Sequence, residues 1–190
     1  MKALDEGNYR EAIDMVTPLL KKREALTPEQ EWAASHLMPT CYRMLEDFKA
    51  ALPHAKRLLK LAPKVCGKGS LDHPRAVDEL GSVELGLKDF ISAKNRFNEA
   101  VAMLKVLGME NSADYGITLM DVAHVDREQQ RYKEALDGYV KAKIVMDNFK
   151  DDPNYCVVLN RMGLCLDNLK RYAEAVAYCR EQVEWSRKKH

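Results

Sequence analysis

The sequence has little glycine and little proline, nine and seven among 190 residues, and it has no long uncharged apolar run. Without such a run of about 18 residues no segment can serve as a membrane-spanning helix. The charge is also balanced, since 30 basic residues face 29 acidic ones. A nucleic-acid-binding protein usually carries a basic excess. We therefore expect neither a membrane nor a nucleic acid as a partner.

The cysteines do not show the spacing of a zinc site or of a set of disulfide bonds. There are five of them, an odd number, and no two stand in a C-x-x-C pair. This pattern argues against a zinc site or a set of disulfides and favours reduced thiols in a cytoplasmic protein. We predict no metal and no cofactor. Cys165 and Cys179 are expected to be small buried hydrophobic residues in predicted helices.

A short phrase recurs along the chain, in which an aromatic residue is followed three positions later by alanine. The aromatic residues are separated by 39, 42, 42 and 40 positions, and they are Tyr9, Phe48, Phe90, Tyr132 and Tyr172. A constant period between about 20 and 50 residues is typical of repeat proteins, in which each unit buries its apolar face against the next.

Apolar residues recur at helical spacing almost throughout, and no sustained strand pattern is present. Thr27-Pro28-Glu29-Gln30 has the form of a capping box at a helix start. The predicted helices cover roughly 9–25, 28–45, 48–61, 74–87, 90–107, 112–129, 132–149, 153–169 and 172–188. Short turns between helices imply antiparallel neighbours. The predicted fold is an all-α, right-handed solenoid of antiparallel helix pairs, with about five repeats and the first incomplete.

The first helix of each later pair carries a large apolar residue followed by a small one, at Leu80-Gly81, Val122-Ala123 and Met162-Gly163. With the aromatic and alanine positions of the second helix, this pattern resembles the tetratricopeptide repeat (TPR) family. The period of about 42 is longer than the usual TPR period and is similar to that of kinesin light chain-like repeats. Gly69 to Pro74 and Leu159 to Gly163 resemble that branch's linker and first helix.

We predict one domain over 1–190, with repeats at roughly 1–26, 27–70, 71–110, 111–150 and 151–190. The incomplete first repeat and the lack of a polar capping helix favour a fragment of a longer protein. Pro18, Pro39 and Pro53 fall inside predicted helices. An interior proline removes a backbone hydrogen bond, so we expect the first two repeats to be bent or loosely packed.

The resemblance implies that the first helices line a concave surface that binds a peptide or a helix. The peptide-binding candidates on these helices are His36, Thr40, Arg43, Arg75, Asp78, Ser82, Ile117, Met120, His124, Arg127, Asn160, Leu164 and Asp167. Arginine suits a carboxylate because its guanidinium donates two parallel hydrogen bonds. Ile117, Met120 and Leu164 would form an apolar floor. The alternative is that the polar residues only solvate this face.

Chaperone-binding members of the family hold a carboxylate with lysines and asparagines on successive first helices. Here those positions carry His36 and Thr40, Asp78 and Ser82, then Met120 and His124. The lysines and asparagines that would hold the carboxylate are therefore absent. His36 and His124 lack a patterned carboxylate or cysteine neighbour. We therefore expect surface histidines, neither metal ligands nor catalytic bases.

The sequence thus predicts a non-enzymatic protein–protein interaction scaffold that binds a partner protein or peptide in its groove. Two alternatives remain. The repeats could be a regulatory or positioning module of a larger enzyme, as helical repeats are in SET/MYND methyltransferases. They could also form a structural array that self-associates through its ends into a homo-oligomer.

Overall fold

The computed structural model describes residues 8–67 and 69–189, and over these residues the fold is entirely helical. A short 3-10 helix, Arg23–Ala25, follows the first α-helix. The α-helices are α1 Tyr9–Lys21, α2 Pro28–Met44, α3 Phe48–Val65, α4 Asp72–Gly86, α5 Phe90–Val106, α6 Ala113–Glu128, α7 Tyr132–Met146, α8 Pro153–Asn168 and α9 Tyr172–Lys189. The predicted all-α repeat fold is confirmed. None of the helices in the described ranges is both long and apolar enough to cross a bilayer.

The helix starts follow the predicted capping chemistry. The Gln30 amide donates to Thr27 Oγ1 at 3.3 Å, and the Thr27 amide donates to Gln30 Oε1 at 3.0 Å, which completes the capping box. Asp152 caps α8 by accepting a hydrogen bond from the Asn154 amide. These caps satisfy amides that have no partner within the helix, so the boundaries agree with the sequence prediction to within a few residues.

The turn inside each helix pair repeats with the same period as the aromatic phrase. A non-glycine residue with positive φ stands two positions before each of the four later aromatics, Phe48, Phe90, Tyr132 and Tyr172, and these residues are Glu46, Lys88, Gln130 and Lys170. The next amide donates to a carbonyl five residues back, as from Asp47 to Tyr42 at 2.9 Å. This closure satisfies carbonyls at the end of the first helix and sends the chain back antiparallel to it.

The chain divides into two compact units, Met1–Ala100 and Val101–His190, and the division falls within α5. In unit 1, Ala51 and Ala55 of α3 pack with Leu80 and Val83 of α4. The core of unit 2 joins α6, α7, α8 and α9, and Tyr139 of α7 is fully buried within it. That all 190 residues act as a single domain stays a prediction.

The interior prolines do not interrupt the helices of unit 1. Helix α2 continues through Pro39, and Met38, Pro39 and Cys41 are all buried. Helix α3 continues through Pro53, and Ala55 and Leu58 are buried beyond it. Of the expected bending or loose packing, loose packing is therefore wrong for these two helices, while bending stays a prediction. Enough tertiary contact surrounds them to offset the backbone hydrogen bonds that proline removes.

The two helices of a pair approach closely because one of the two facing residues at their contact is glycine. In unit 1, a Cβ on Gly81 would lie 3.1 Å from Cβ of Arg96 and 2.9 Å from the Phe97 ring. In unit 2 the facing residues are reversed, because a Cβ on Gly138 of α7 would lie 2.7 Å from Cβ of Ala123. Glycine is thus on the first helix in one pair and on the second helix in the other.

This reversal predicts coupled effects of Gly138→Ala and Ala123→Gly on the free energy of unfolding. Gly138→Ala alone is expected to cost about 1–2 kcal/mol, since overpacking exceeds the gain in helix propensity. Ala123→Gly alone is expected to cost about 1 kcal/mol. The double variant restores the space and should be close to the wild type. Urea unfolding of the four proteins measures the coupling, and simple additivity would contradict the packing account.

Candidate functional site

The predicted residues on α2 and α4 lie in unit 1, where one of the predicted arginines already forms an ion pair with an acidic residue. Thr40 Oγ1 donates to Glu79 Oε1 at 3.3 Å, and Arg43 Nε donates to the same oxygen at 3.4 Å. Glu79 was not among the predicted site residues. Because its carboxylate neutralises Arg43, this part of the face has little positive charge left for a ligand.

The other unit 1 candidates differ in exposure. His36 is exposed, while Asp78 and Ser82 are half-buried. Arg75 is exposed, and its Nη1 lies 4.0 Å from Oδ1 of Asp72 one turn earlier. An exposed ion pair at that distance contributes little stability.

In unit 2, an arginine of α6 contacts a histidine of the same helix, and an arginine of α8 reaches α6 one turn before that histidine. Arg127 Nη2 lies 2.8 Å from His124 Nε2 and donates to Glu128 Oε1 at 2.7 Å. Arg161 of α8 reaches across to α6, where its Nη1 lies 3.5 Å from Oδ1 of Asp121. We call Asp121, His124, Arg127, Tyr139 and Arg161 the arginine cluster. Three of these are basic or imidazole groups that remain partly open to solvent.

The expectation that His124 is a surface histidine is wrong. Its side chain is only 22% exposed. Burial, then the charges of Arg161 and Arg127, lower the pKa of His124 to about 3. The ring is therefore neutral at physiological pH, and its Nε2 accepts the hydrogen bond from the always-protonated Arg127. The proton of the neutral ring is then on Nδ1.

Two buried polar atoms of the cluster have no hydrogen-bond partner within the described residues. They are the hydroxyl oxygen of Tyr139 and Nε of Arg127. Burial raises the pKa of Tyr139, so its hydroxyl keeps its proton and remains a donor. Most buried polar groups are hydrogen-bonded, and exceptions concentrate where a ligand or water binds.

Met120 does not belong to the exposed face. It is 3% exposed and packs in the core of unit 2 with Ala123 and Leu136. The prediction that it floors the groove is therefore wrong, because α7 and α8 cover the side of α6 on which it lies. Ile117, one turn earlier, is half-buried and packs at the edge of the same core.

Asn160, Leu164 and Asp167 of α8 lie together, but around a separate hollow shared with α9. It has a volume of about 280 Å³ and is lined by Asn160, Gly163, Leu164, Asp167, Tyr172, Ala175, Val176 and Cys179. We call it the end pocket. Cys179 is exposed there, which corrects the expectation that it is buried, whereas Cys165 is buried as expected.

Sequence reasoning missed Arg161 and Asp121, although a signal for Arg161 was present. It is the basic residue in an otherwise apolar or uncharged stretch of α8, from Pro153 to Leu166. A charge in such a stretch indicates a partner or a ligand. Asp121 could not be chosen the same way, because nothing in the sequence shows which α6 residue α8 approaches. In the described parts of the chain, no three His, Cys, Asp or Glu residues meet as a metal site.

Because the pKa of His124 is low in the folded chain, the stability of the fold should decrease as the pH falls. Below pH 6.5 the imidazole of His124 binds a proton in the unfolded chain, whereas in the folded chain it stays neutral down to about pH 3. The free energy of unfolding should therefore fall as pH falls through this window, by up to about 1.4 kcal/mol per pH unit.

The variant His124→Gln isolates this effect, since glutamine can still accept from Arg127 but does not titrate. Its unfolding free energy should fall less steeply between pH 6 and pH 4 than that of the wild type. The difference between the two proteins cancels the contributions of the carboxylates. Equal slopes would show that His124 takes up a proton in the folded chain.

Comparison with known proteins connects this architecture to a family. The family model described as tetratricopeptide repeat matches residues 158–189, which cover most of α8 and α9. No curated protein matches the sequence. The matched segment contains Arg161 of the arginine cluster and all the residues that line the end pocket.

Solved structures show the same fold over the whole chain. BtubC (BKLC) from P. vanneervenii superposes with a TM-score of 0.79 at 16% identity, covering 98% of this chain and 76% of that one. The nearly identical TPR-like repeats of a kinesin light chain from Podosopora anserina give 0.73 at 11% identity, covering 100% and 92%. Aspartyl phosphate phosphatase F from Bacillus subtilis gives 0.84 at 16% identity, covering 100% and 49%.

The resemblance drawn from the sequence is thereby confirmed: the chain is built of TPR-like helical repeats, and its neighbours include kinesin light chain-like ones. Repeats of this kind are typical of protein-interaction modules. At such low identities the likeness concerns the fold, so the binding chemistry has to come from the residues of this chain.

Proposed function

We propose that the chain is a non-enzymatic protein-interaction module whose arginine cluster binds an acidic segment of a partner protein. The observation that carries the proposal is that Arg127 contacts His124, while Arg161 of the next helix pair reaches the same helix at Asp121, one turn before His124. A carboxylate between them could accept hydrogen bonds from both guanidiniums.

The guanidiniums of the cluster are the groups that would bind an acidic ligand. Arg161 pairs with Asp121 at 3.5 Å and Arg127 pairs with Glu128 at 2.7 Å, so an incoming carboxylate would compete with these two acidic residues for the guanidinium donors. His124 is neutral, so it adds no charge but offers its Nδ1 proton as a donor. Helices α6 and α8 hold these groups in place before a ligand arrives, which limits the entropy cost of binding.

The other predicted residues are proposed separately from the arginine cluster. We propose the exposed or half-exposed residues of unit 1, which are His36, Thr40, Arg43, Arg75, Asp78 and Ser82, as a contact surface of that unit for a partner protein. Five free cysteines support the proposed cytoplasmic location, since thiols stay reduced there. A role as a module of a larger enzyme has no separate observation in its favour.

Fluorescence anisotropy with labelled peptides of equal length tests the proposal. One peptide carries glutamates between leucines and tyrosines, the second has glutamines in their place, and the third has lysines. The wild type should bind the acidic peptide best, and added salt should weaken that binding. Equal affinity for all three would contradict the proposal.

Variants assign the binding to the cluster. Arg161→Gln and Arg127→Gln should each weaken acidic-peptide binding by about tenfold or more, which corresponds to about 1.4 kcal/mol. Arg161→Lys should retain part of the affinity, because it keeps the charge and loses the planar fork. Lys141→Glu is the control, since Lys141 is exposed on the second helix α7. Its effect should be small, and an effect as large as that of Arg161→Gln would place the binding elsewhere.

A further inference from the structure

The balanced charge of the whole chain includes one segment in which all the charges have the same sign. Residues 48–70 contain six lysines and arginines and no aspartate or glutamate. The other residues of the chain hold the remaining 24 basic residues and all 29 acidic ones. The segment is therefore strongly basic, while the rest of the chain is net acidic.

Four lysines of this segment lie on one side of helix α3. They are Lys49, Lys56, Lys60 and Lys64, which we call the lysine stripe, and all four are exposed. They are separated by seven, four and four positions, a spacing that keeps residues on one face of an α-helix. On the opposite side of α3, Ala55 and Leu58 are buried.

The lysine stripe has no acidic partner nearby. Within the described residues, Arg57 is the residue of α3 that forms an ion pair, since its Nε lies 2.7 Å from Glu31 Oε1, and the four lysines form none. The charges of Lys56 and Lys64 act on Glu84 and Glu31 at longer range. Like charges four positions apart destabilise a helix, so the stripe is present at a cost to the stability of α3.

The repeat itself does not require lysine at these positions. Forty-two positions later, the corresponding residues of α5 are Ile91, Asn98, Ala102 and Val106. Ile91 and Val106 are 77% and 88% exposed, so the same face is open to solvent in α5. Because uncharged residues are accepted there, the lysines are a property of α3 and not of the fold.

The side chains around the stripe indicate which kind of anion it suits. Glu31 already engages the guanidinium of Arg57, the group best suited to hold a phosphate with two parallel hydrogen bonds. Phe48 does not stack on bases from this face, because a Cβ on Gly86 would lie 2.1 Å from its ring. Helix α3 is fully described and exposes no large apolar side chain of the kind that inserts into a membrane surface. Carboxylates of a protein are the anions that fit best.

The spacing of the lysines indicates the form of the partner. Along the axis of α3, Lys56, Lys60 and Lys64 follow at about 6 Å, and Lys49 lies about 10 Å before Lys56. A second helix with an acidic residue at every fourth position presents its carboxylates at the same rise of about 6 Å. Successive carboxylates can then meet successive lysines.

We propose that the lysine stripe is an interaction surface for an acidic α-helix of a partner protein, whose carboxylates stand at every fourth position. Helix α4 packs on the opposite side of α3, where Ala51 and Ala55 contact Leu80 and Val83, and leaves the stripe open. The inference concerns a different surface from the arginine cluster and does not rest on the function proposed above.

Two labelled peptides of identical composition provide the probe. The first is a helix of alanine and glutamine with glutamates at positions i, i+4, i+8 and i+15, and the second distributes the same four glutamates around the helix. By fluorescence anisotropy, the full chain should bind the first peptide about three- to tenfold more tightly than the second. Added salt should weaken this binding, because the pairs are exposed to solvent.

The decisive variant carries Lys49→Glu and Lys60→Glu together, and it should weaken binding of the first peptide by about tenfold or more. The melting temperature should be equal or higher, since glutamate suits the first turn of α3 and, at position 60, stands four positions from a lysine on either side. The control carries Lys133→Glu and Lys141→Glu, two exposed positions of α7. It changes the net charge equally and should have little effect on binding.

Four results would overturn the proposal. Equal weakening by the two double variants would show that only net charge matters, and equal affinity for the two peptides would remove the helical register. Tighter binding of phosphatidylserine vesicles or of an oligothymidine, lost in the Lys49→Glu and Lys60→Glu variant, would make a lipid surface or a nucleic acid the partner. A loss in Arg161→Gln as large as in that variant would assign the peptide to the arginine cluster.

Discussion

Phe97→Ala is expected to lower the free energy of unfolding by about 3–5 kcal/mol, the range for removing a buried aromatic ring. Phe97 has no solvent exposure, and its ring packs against the position of Gly81 on the facing helix. Glycine has no side chain that could move into the space. The cavity should therefore persist, and the cost should be in the upper part of that range.

The tryptophans allow this effect to be followed in unit 1. The chain has two, and Trp32 packs beside Leu58, Ala62 and Ala76 in unit 1. In a Trp185→Phe background, the urea midpoint reported by Trp32 should fall for Phe97→Ala. Phe97→Leu, which keeps most of the volume, should cost about 1–2 kcal/mol. Equal effects of the two variants would show that the ring is not tightly packed.

Tyr155→Ala is expected to be equally severe in unit 2. Tyr155 is 2% exposed and lies in a core with Met146 and Leu159. Its hydroxyl is 3.0 Å from Asp147 Oδ1 and also contacts Glu181, so it can donate its one proton to either carboxylate. Alanine removes the ring and this donor together, at an expected cost of about 3–5 kcal/mol.

Tyr155→Phe separates the two contributions. It keeps the ring and should cost only about 1 kcal/mol, because Lys143 still lies 2.9 Å from Asp147 and 3.4 Å from Glu181. Trp185 packs beside Tyr155 and reports the transition in a Trp32→Phe background. A Tyr155→Phe variant as unstable as Tyr155→Ala would mean that the hydroxyl contacts, and not the ring, hold this core.

The sequence predicted the helices because the signals that determine them are local. The apolar period, the Thr27 capping box and the aromatic-to-alanine phrase each depend on a few neighbouring residues. The expectation for Pro39 was wrong because helix-breaking is a local tendency, while the packing around Met38 and Cys41 that overrides it is tertiary.

The candidate site was only partly predictable for the same reason. Helical spacing alone could not show that Met120 faces α7 and α8 or that Arg161 reaches Asp121. The low pKa of His124 could not be predicted, because the burial of its ring and the nearby charges of Arg161 and Arg127 arise only in the folded chain. Cys179 was expected to fill a core position, but the helix that buries Tyr139 in the preceding pair has no counterpart over Cys179 in the described chain.

The central claim, that the arginine cluster binds an acidic segment, is tested most directly by NMR titration of the isotopically labelled chain with the acidic peptide. The side-chain signals of Arg127 and Arg161, the ring signals of His124 and the amides of α6 and α8 should shift together and saturate. The lysine peptide should leave them unchanged. Shifts confined to other helices, or equal shifts with the lysine peptide, would contradict the account.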